Sequence, residues 1–237
     1  INGEQTLLDA TIDRLAPRIS RGDVLIVTGS EHAHGEGYNS VLPYATLLEP
    51  VGRNTAPAIG LSAAWLQYQN PDADPIMVVL PADHVIKNRT AFQAALGTAV
   101  GAAQDGGLVT FGIRPSRPDT GFGYIQATVS EKEPNVQSVA RFTEKPDFET
   151  AQGFVARDDY YWNSGMFVWK ASSILAEIEA HLPDVHGILD RIRVAWERGE
   201  DPQAAIDEHF PSMPNISIDH GVLEKSSHVL LVPCDLG

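Results

Sequence analysis

Apolar residues run unbroken from Ile76 to Leu80 and stop at Pro81. So short a run, closed by proline, predicts a strand buried on both faces of a parallel sheet. Val24-Leu-Ile-Val27, Thr46-Leu-Leu-Glu49 and Gly107–Ile113 predict three more strands. Between them the apolar spacing becomes helical. Positions 7, 8, 12 and 15 predict a helix over Thr6–Leu15. A second helix is predicted from Thr55 to about Gln69, with Thr55 as N-cap and Pro57 in the first turn. Its Gly60, Ala63 and Ala64 leave one face small enough for close packing. The alanine-rich segment Phe92–Ala103 predicts a third. Strand and helix thus alternate up to Ile113, which favours an α/β, doubly wound, mostly parallel sheet.

From Arg114 the texture changes. Arg114–Tyr124 holds two prolines and two glycines, a loop of defined shape whose glycines let backbone approach a ligand. Ile125–Val129 and Val136–Thr143 alternate as antiparallel strands do, joined by a turn at Glu131–Asn135. Phe148–Val155 predicts a short helix. In Tyr160–Trp169 the polar triplet Asn163-Ser-Gly165 sits among aromatics. This is either a hairpin with aromatic core positions or a polar patch suited to a polyhydroxylated ligand. Helical spacing returns around 172–181, 185–198 and 202–209. Ile216–Lys225 predicts a capped short helix, and Val229–Val232 a last strand.

Composition narrows the function. A chain of 237 residues suits one large domain. Its net charge of −14 argues against nucleic acid or anionic membrane as partner. The single cysteine, Cys234, excludes an internal disulfide and fits a reducing compartment. No apolar run reaches ~18 residues and no charged-then-apolar leader opens the chain, so a cytoplasmic location is expected. Glu31, His32, His34 and Glu36 cluster, but their spacing matches no common metal-ligand pattern and reads as a solvated loop.

Two places carry candidate chemistry. Asp83 stands just past the carboxyl end of the Ile76 strand, where open α/β sheets place ligands. A carboxylate there can hold Mg²⁺; equally, Asp83 can cap the next helix while His84 packs. Arg53 precedes a helix start, which is either a natural anion site or an ordinary strand–turn–helix joint. Asp219 and Lys225 are ionisable groups in an otherwise apolar stretch.

Six stretches, in order, resemble mannose-1-phosphate guanylyltransferases, the GDP-mannose pyrophosphorylases of the nucleotide-sugar pyrophosphorylase (nucleotidyltransferase) group. They are Glu49–Ile59, Leu80-Pro-Ala-Asp-His84, Thr120–Ile125, Phe142-Thr-Glu-Lys-Pro146, Trp162–Phe167 and Ser217–Lys225. The resemblance implies the nucleotide-diphospho-sugar transferase fold: a Rossmann-like sheet with an antiparallel sugar-binding insertion. It implies a single catalytic domain over 1–237, with a nucleotide-binding half 1–113 and a sugar-phosphate-binding half 114–237. It assigns the guanine nucleotide to Arg53, Asn54 and Thr55, and Mg²⁺ to Asp83. It places the sugar at Gly123, Tyr124, Glu144 and Asn163, and the sugar phosphate at Lys145. Asp219 and Lys225 match a motif close to the active site. The implied reaction is GMP transfer from GTP to mannose 1-phosphate, with Asp83 and Lys145 as catalytic residues.

Departures accompany the likeness. The family begins with a strand and a glycine-rich triphosphate loop and continues into a Trp-x-Asp-x-Gly motif bearing a second metal ligand. Neither falls within Ile1–Gly237, so an incomplete piece of the enzyme is expected. Another nucleotide and hexose 1-phosphate pair, or a non-catalytic nucleotide-sugar-binding regulatory subunit, stay open as alternatives. A homodimer is also left open.

Overall fold

Local capping chemistry fixes where the helices begin. Thr6 Oγ1 accepts from the Asp9 amide at 3.1 Å while the Asp9 carboxylate accepts from the Thr6 amide, a capping box that starts the first helix. Asn88, Asp147 and Asp201 cap three later helices through their side-chain oxygens. In the computed structural model, residues 6–32, 44–128 and 135–237 are described. His34 and Glu36 of the histidine–glutamate cluster, and most of the Glu131–Asn135 turn, lie outside them.

In chain order the elements are α1 (Leu7–Asp13), β1 (Leu25–Gly29), β2 (Ala45–Glu49), α2 (Thr55–Gln69), β3 (Ile76–Val79), α3 (Arg89–Gln104) and β4 (Leu108–Ile113). There follow β5 (Tyr124–Thr128), β6 (Gln137–Thr143), α4 (Phe148–Val155), β7 (Tyr160–Lys170), α5 (Ala171–His181), α6 (Pro183–Glu197), α7 (Pro202–His209) and β8 (Val229–Cys234). Ile216–Lys225 contains a single π-helical turn, Asp219–Leu223. No helix among the described residues is long and apolar enough to cross a membrane.

The chain divides into two compact units that interleave in sequence. The first comprises Ile1–Pro75, Ala82–Val85 and Ile174–Val222. In it β1 and β2 pair in parallel, Leu25 to Ala45 through Gly29 to Glu49. In α2 the residues Ile59–Ala64 are buried in succession, so this part of the helix is covered on every side. Gly60 lets α6 approach closely: an added Cβ there would lie 2.7 Å from Leu189 Cδ1. Trp65 meets Trp196 edge-on at 5.2 Å, and Tyr68 donates its hydroxyl proton to the Trp196 carbonyl.

The second unit comprises Ile76–Pro81, Ile86–Ser173 and Leu223–Gly237. Its six strands run in the order β3-β7-β4-β8-β6-β5, and β5 pairs again with β7. The sheet is mixed, which corrects the expectation of a mostly parallel one. Only β4–β8 is parallel in this sheet, and β3 pairs antiparallel with β7 at an edge. The reason is β7. It is one 11-residue strand rather than a hairpin, and it runs against β3, β4 and β5 in turn. Most of its residues are buried, so its aromatic positions serve two faces. α3 seats Phe92, 6.4 Å from Phe111 of β4. α4 closes an aromatic cluster of Tyr124, Phe154, Tyr160 and Trp162.

Candidate functional site

In the first unit the site is built where β2 hands over to α2. Asn54, not Thr55, is the N-cap, its side chain accepting from the Thr55 amide at 2.9 Å. Asn54 has φ 69, one of two non-glycine residues with positive φ among those described. A conformation that costs ~1–3 kcal/mol survives only where surroundings enforce it, and it concentrates at functional sites. The enforcement comes from far along the chain. The Ala56 amide donates to the Ile216 carbonyl at 3.1 Å, and the Ile216 amide to the Arg53 carbonyl at 3.3 Å. Thr55 Oγ1 accepts from the Ile218 amide at 2.9 Å. Thr55 is therefore a tie to the Asp219 segment rather than a cap. Arg53, Asn54, Thr55 and the Ile216–Asp219 stretch, distant in sequence, come together. The Arg53 guanidinium donates to the Pro211 carbonyl and is partly buried.

Asp83 lies in a turn four residues after β3, and its side chain is 81% exposed. It caps nothing: the helix that follows is capped by Asn88. The turn is anchored from beneath. Buried Arg14 of the α1 C-cap donates to the His84 carbonyl at 2.6 Å and to Thr11 Oγ1 at 3.0 Å. His84 Nε2 is 4.0 Å from Asp83 Oδ1. Among the described residues no three His, Cys, Asp or Glu side chains converge as a metal cage. A Mg²⁺ held by one or two carboxylates, with water and substrate phosphates completing its shell, needs no such cage. Asp83, exposed and uncommitted to a cap, can offer one such oxygen.

Sequence reasoning missed Glu49 as more than a motif letter. Its Oε1 is buried with no hydrogen-bond partner, and burial holds the carboxyl above the ordinary range. A carboxylate at the end of a strand otherwise flanked by apolar residues was the available signal.

The second unit assembles the sugar candidates. Gly123, Glu144 and Asn163 converge: a Cβ on Gly123 would lie 2.5 Å from Glu144 Oε2 and 3.5 Å from Asn163 Cβ. The Asn163 amide donates to the Gly123 carbonyl at 2.8 Å. Glu144 is mostly buried, and its Oε1 is 3.3 Å from the exposed Lys145 ammonium. Lys145 is the second positive-φ residue, at 45°. The Glu144 amide donates to Glu224 Oε1 at 3.3 Å. Lys225 itself is exposed rather than set in apolar surroundings.

The Tyr124 side chain turns inward. It is fully buried against Phe154, and its hydroxyl accepts from the Asp119 amide at 2.9 Å. It shapes the Gly121–Gly123 loop and offers no phenol to a ligand. Asp119 steadies the same loop by accepting from the Gly121 amide and from Arg117. The Gly121 amide first, then the Arg117 guanidinium, hold its carboxyl below the usual range. Phe122 packs on Trp162 with ring centroids 5.0 Å apart.

Asn163 is placed by an irregularity. Thr110 pairs with Phe167 and Gly112 with Asn163, so one β4 residue, Phe111, faces three β7 residues, Ser164 to Met166. Gly165 takes φ +68 within that bulge. Bulges of this kind re-aim a side chain beside active sites.

The chain matches the family described as nucleotidyl transferase over residues 1–210. It is 44% identical over 242 residues to the xanthan biosynthesis protein XanB of Xanthomonas campestris pv. campestris, covering 99% of this chain and 50% of that protein. It is 38% identical over 244 residues to the mannose-1-phosphate guanylyltransferase of Escherichia coli (strain K12), covering all of this chain and 51% of that protein. The chain thus spans about half the length of the curated relatives it matches. A crystal structure from Thermus thermophilus, titled a mannose-1-phosphate geranyltransferase, superposes with a TM-score of 0.85 at 32% identity. It covers all of this chain and 66% of that one. The architecture is accordingly the α/β fold of nucleotide-sugar transferases.

Proposed function

Because this chain belongs to the nucleotidyl transferase family, we propose that its protein transfers GMP from GTP to α-D-mannose 1-phosphate, giving GDP-mannose and pyrophosphate. The observation that carries the reading is Lys145, a cation held at φ 45 beside the mostly buried Glu144, over the Gly123 cradle that Asn163 completes. A strained lysine next to a carboxylate and an amide suits a ligand that is a phosphate at one end and hydroxylated at the other.

The chemistry needs little proton transfer. A phosphate oxygen of the sugar phosphate attacks the α-phosphorus of GTP, the bond to the bridging β-phosphate oxygen breaks, and pyrophosphate leaves. The obstacles are repulsion between polyanions and charge on the leaving group. Lys145 would pair with the sugar phosphate and hold the attacking oxygen in place. Glu144 and Asn163 would accept from and donate to sugar hydroxyls, orienting the ring. The Arg53–Thr55 turn would receive the nucleotide, with α2 amides near its phosphates. Asp83 would hold Mg²⁺, which when bound neutralises phosphate charge and aids alignment.

The test is pyrophosphate release by the full-length protein supplied with GTP, mannose 1-phosphate and Mg²⁺, in competition with UTP and dTTP. Release that follows GTP and is abolished by Asp83→Asn at limiting Mg²⁺ is expected. A folded protein that releases none, or that prefers another triphosphate, refutes the assignment.

A further inference from the structure

Arg14 lies in none of the sequence motifs, yet it is the side chain that ties down the Asp83 turn. It is 7% exposed, at the C-cap of α1. Its own helix aims it: Nε donates to the Ala10 carbonyl at 3.2 Å and Nη2 to Thr11 Oγ1 at 3.0 Å. From that mount Nη2 also reaches the His84 carbonyl, 70 positions along the chain, at 2.6 Å. Helix α1 and Ala82–Val85 belong to the same compact unit. We propose that Arg14 is a positioning residue for the metal-binding carboxylate. By fixing the peptide that follows Asp83, it sets where the Asp83 side chain stands.

The Asp83 carboxylate is not held by contacts of its own. It is 81% exposed, and the His84 Nε2 that faces it is 4.0 Å away, beyond hydrogen-bond distance. A side chain so loosely held takes its position from the backbone that bears it. The sheet gives that backbone little grip, because β3 ends at Val79, four residues earlier. The grip comes from Arg14. A charged donor on a carbonyl makes a short, strong bond, and this one is short. The guanidinium is also a planar fork whose donors keep fixed angles. Acceptors on α1 and on the turn therefore fix one against the other.

A metal with one or two protein oxygens feels the displacement of either in full. Groups that stand behind a metal ligand typically govern metal affinity by 10- to 100-fold. The inference rests on the reading of Asp83 as the Mg²⁺ carboxylate.

The experiment measures GTP binding by calorimetry, with and without Mn²⁺, beside the Mg²⁺ dependence of GMP transfer. The proteins are full-length wild type, Arg14→Met, Thr11→Val, Asp83→Asn and the Arg14→Met/Asp83→Asn double variant. The quantity read is the gain in GTP affinity that Mn²⁺ confers. Arg14→Met is expected to cut that gain about tenfold while metal-free GTP binding stays within about twofold. The Mg²⁺ concentration for half-maximal transfer should rise in parallel. Thr11→Val keeps the guanidinium and removes the hydroxyl that steers it, so it should cut the gain about threefold; it decides the matter where Arg14→Met does not fold. In the Asp83→Asn background Arg14→Met should add less than about twofold. Equal losses with and without Mn²⁺ would mark Arg14 as a support of the fold alone and overturn the proposal. An unchanged gain in the folded variant, or a full further loss in the double variant, would overturn it too. A wild type that gains nothing from Mn²⁺, or whose gain survives Asp83→Asn, overturns the metal reading and this inference with it. A gain lost in Asp83→Asn but kept in Arg14→Met overturns this inference alone.

Discussion

Gly123→Ala tests the proposed sugar cradle apart from the rest of the molecule. Gly123 is buried and is not one of the positive-φ glycines, so alanine meets no backbone penalty. The effect is steric. The new methyl would sit 2.5 Å from Glu144 Oε2, against ordinary contacts of about 3.4 Å. Phe142 Cε1 at 3.3 Å blocks retreat the other way. The Glu144 carboxylate must therefore swing by about 1 Å, which also disturbs its 3.3 Å approach to Lys145. Misplacement of about 1 Å near reacting groups costs on the order of 100-fold in rate. The atom that yields is the end of a side chain, so the thermal midpoint should move by no more than ~4 °C. The assay is kcat/KM for mannose 1-phosphate and for GTP in the full-length protein, with Gly153→Ala as control, since nothing lies within 4 Å of its new methyl. A loss of 10- to 100-fold borne by the sugar phosphate is expected. A Gly123→Ala enzyme within twofold of wild type would show that the cradle is not where substrate is held, and one unfolded at assay temperature would refute the argument that Glu144 alone yields.

Three further outcomes follow from other residues. Burial raises the folded-state pKa of Glu49 above its unfolded value, so wild type should lose stability as pH rises through the folded value. Glu49→Gln, which does not titrate, should melt higher than wild type at pH 8, with the gap closing towards pH 4; parallel melting profiles would contradict this. Gly187 lies exposed inside α6 with nothing within 4 Å of a new Cβ, so Gly187→Ala should stabilise by ~1 kcal/mol and raise the thermal midpoint a few degrees. Burial, aided by Asp235, pushes the Cys234 thiol up to about 12; it should stay unalkylated by iodoacetamide at pH 8, where rapid labelling would refute its burial.

Features set by neighbours in sequence were legible from the chain alone. The bounds of α2 and α4 follow from local caps and apolar spacing, and both helices end where expected. The grouping of Gly123, Glu144 and Asn163 was legible through resemblance, and the geometry brings them together. What escaped depended on distant partners. Thr55 reads as a cap until Ile218 is seen to claim its hydroxyl. The Tyr124 ring gives no sign in the sequence that it packs against Phe154. The course of β7 was hidden because aromatics buried on both faces erase the alternation that marks a strand. Glu49 and Arg14 fell outside any assigned role because an unpaired oxygen or a bond to a distant carbonyl leaves no trace in residue spacing.

The tie between Thr55 and Ile218 has a consequence for the order of assembly. The two residues are 163 positions apart, and contacts so remote form late. As the chain leaves the ribosome, helix α2 can coil early, but the bend before it stays without its clamp until residue 218 has emerged. A nascent chain halted short of that point would carry the right letters for the corner and still lack the bonds that give it its shape.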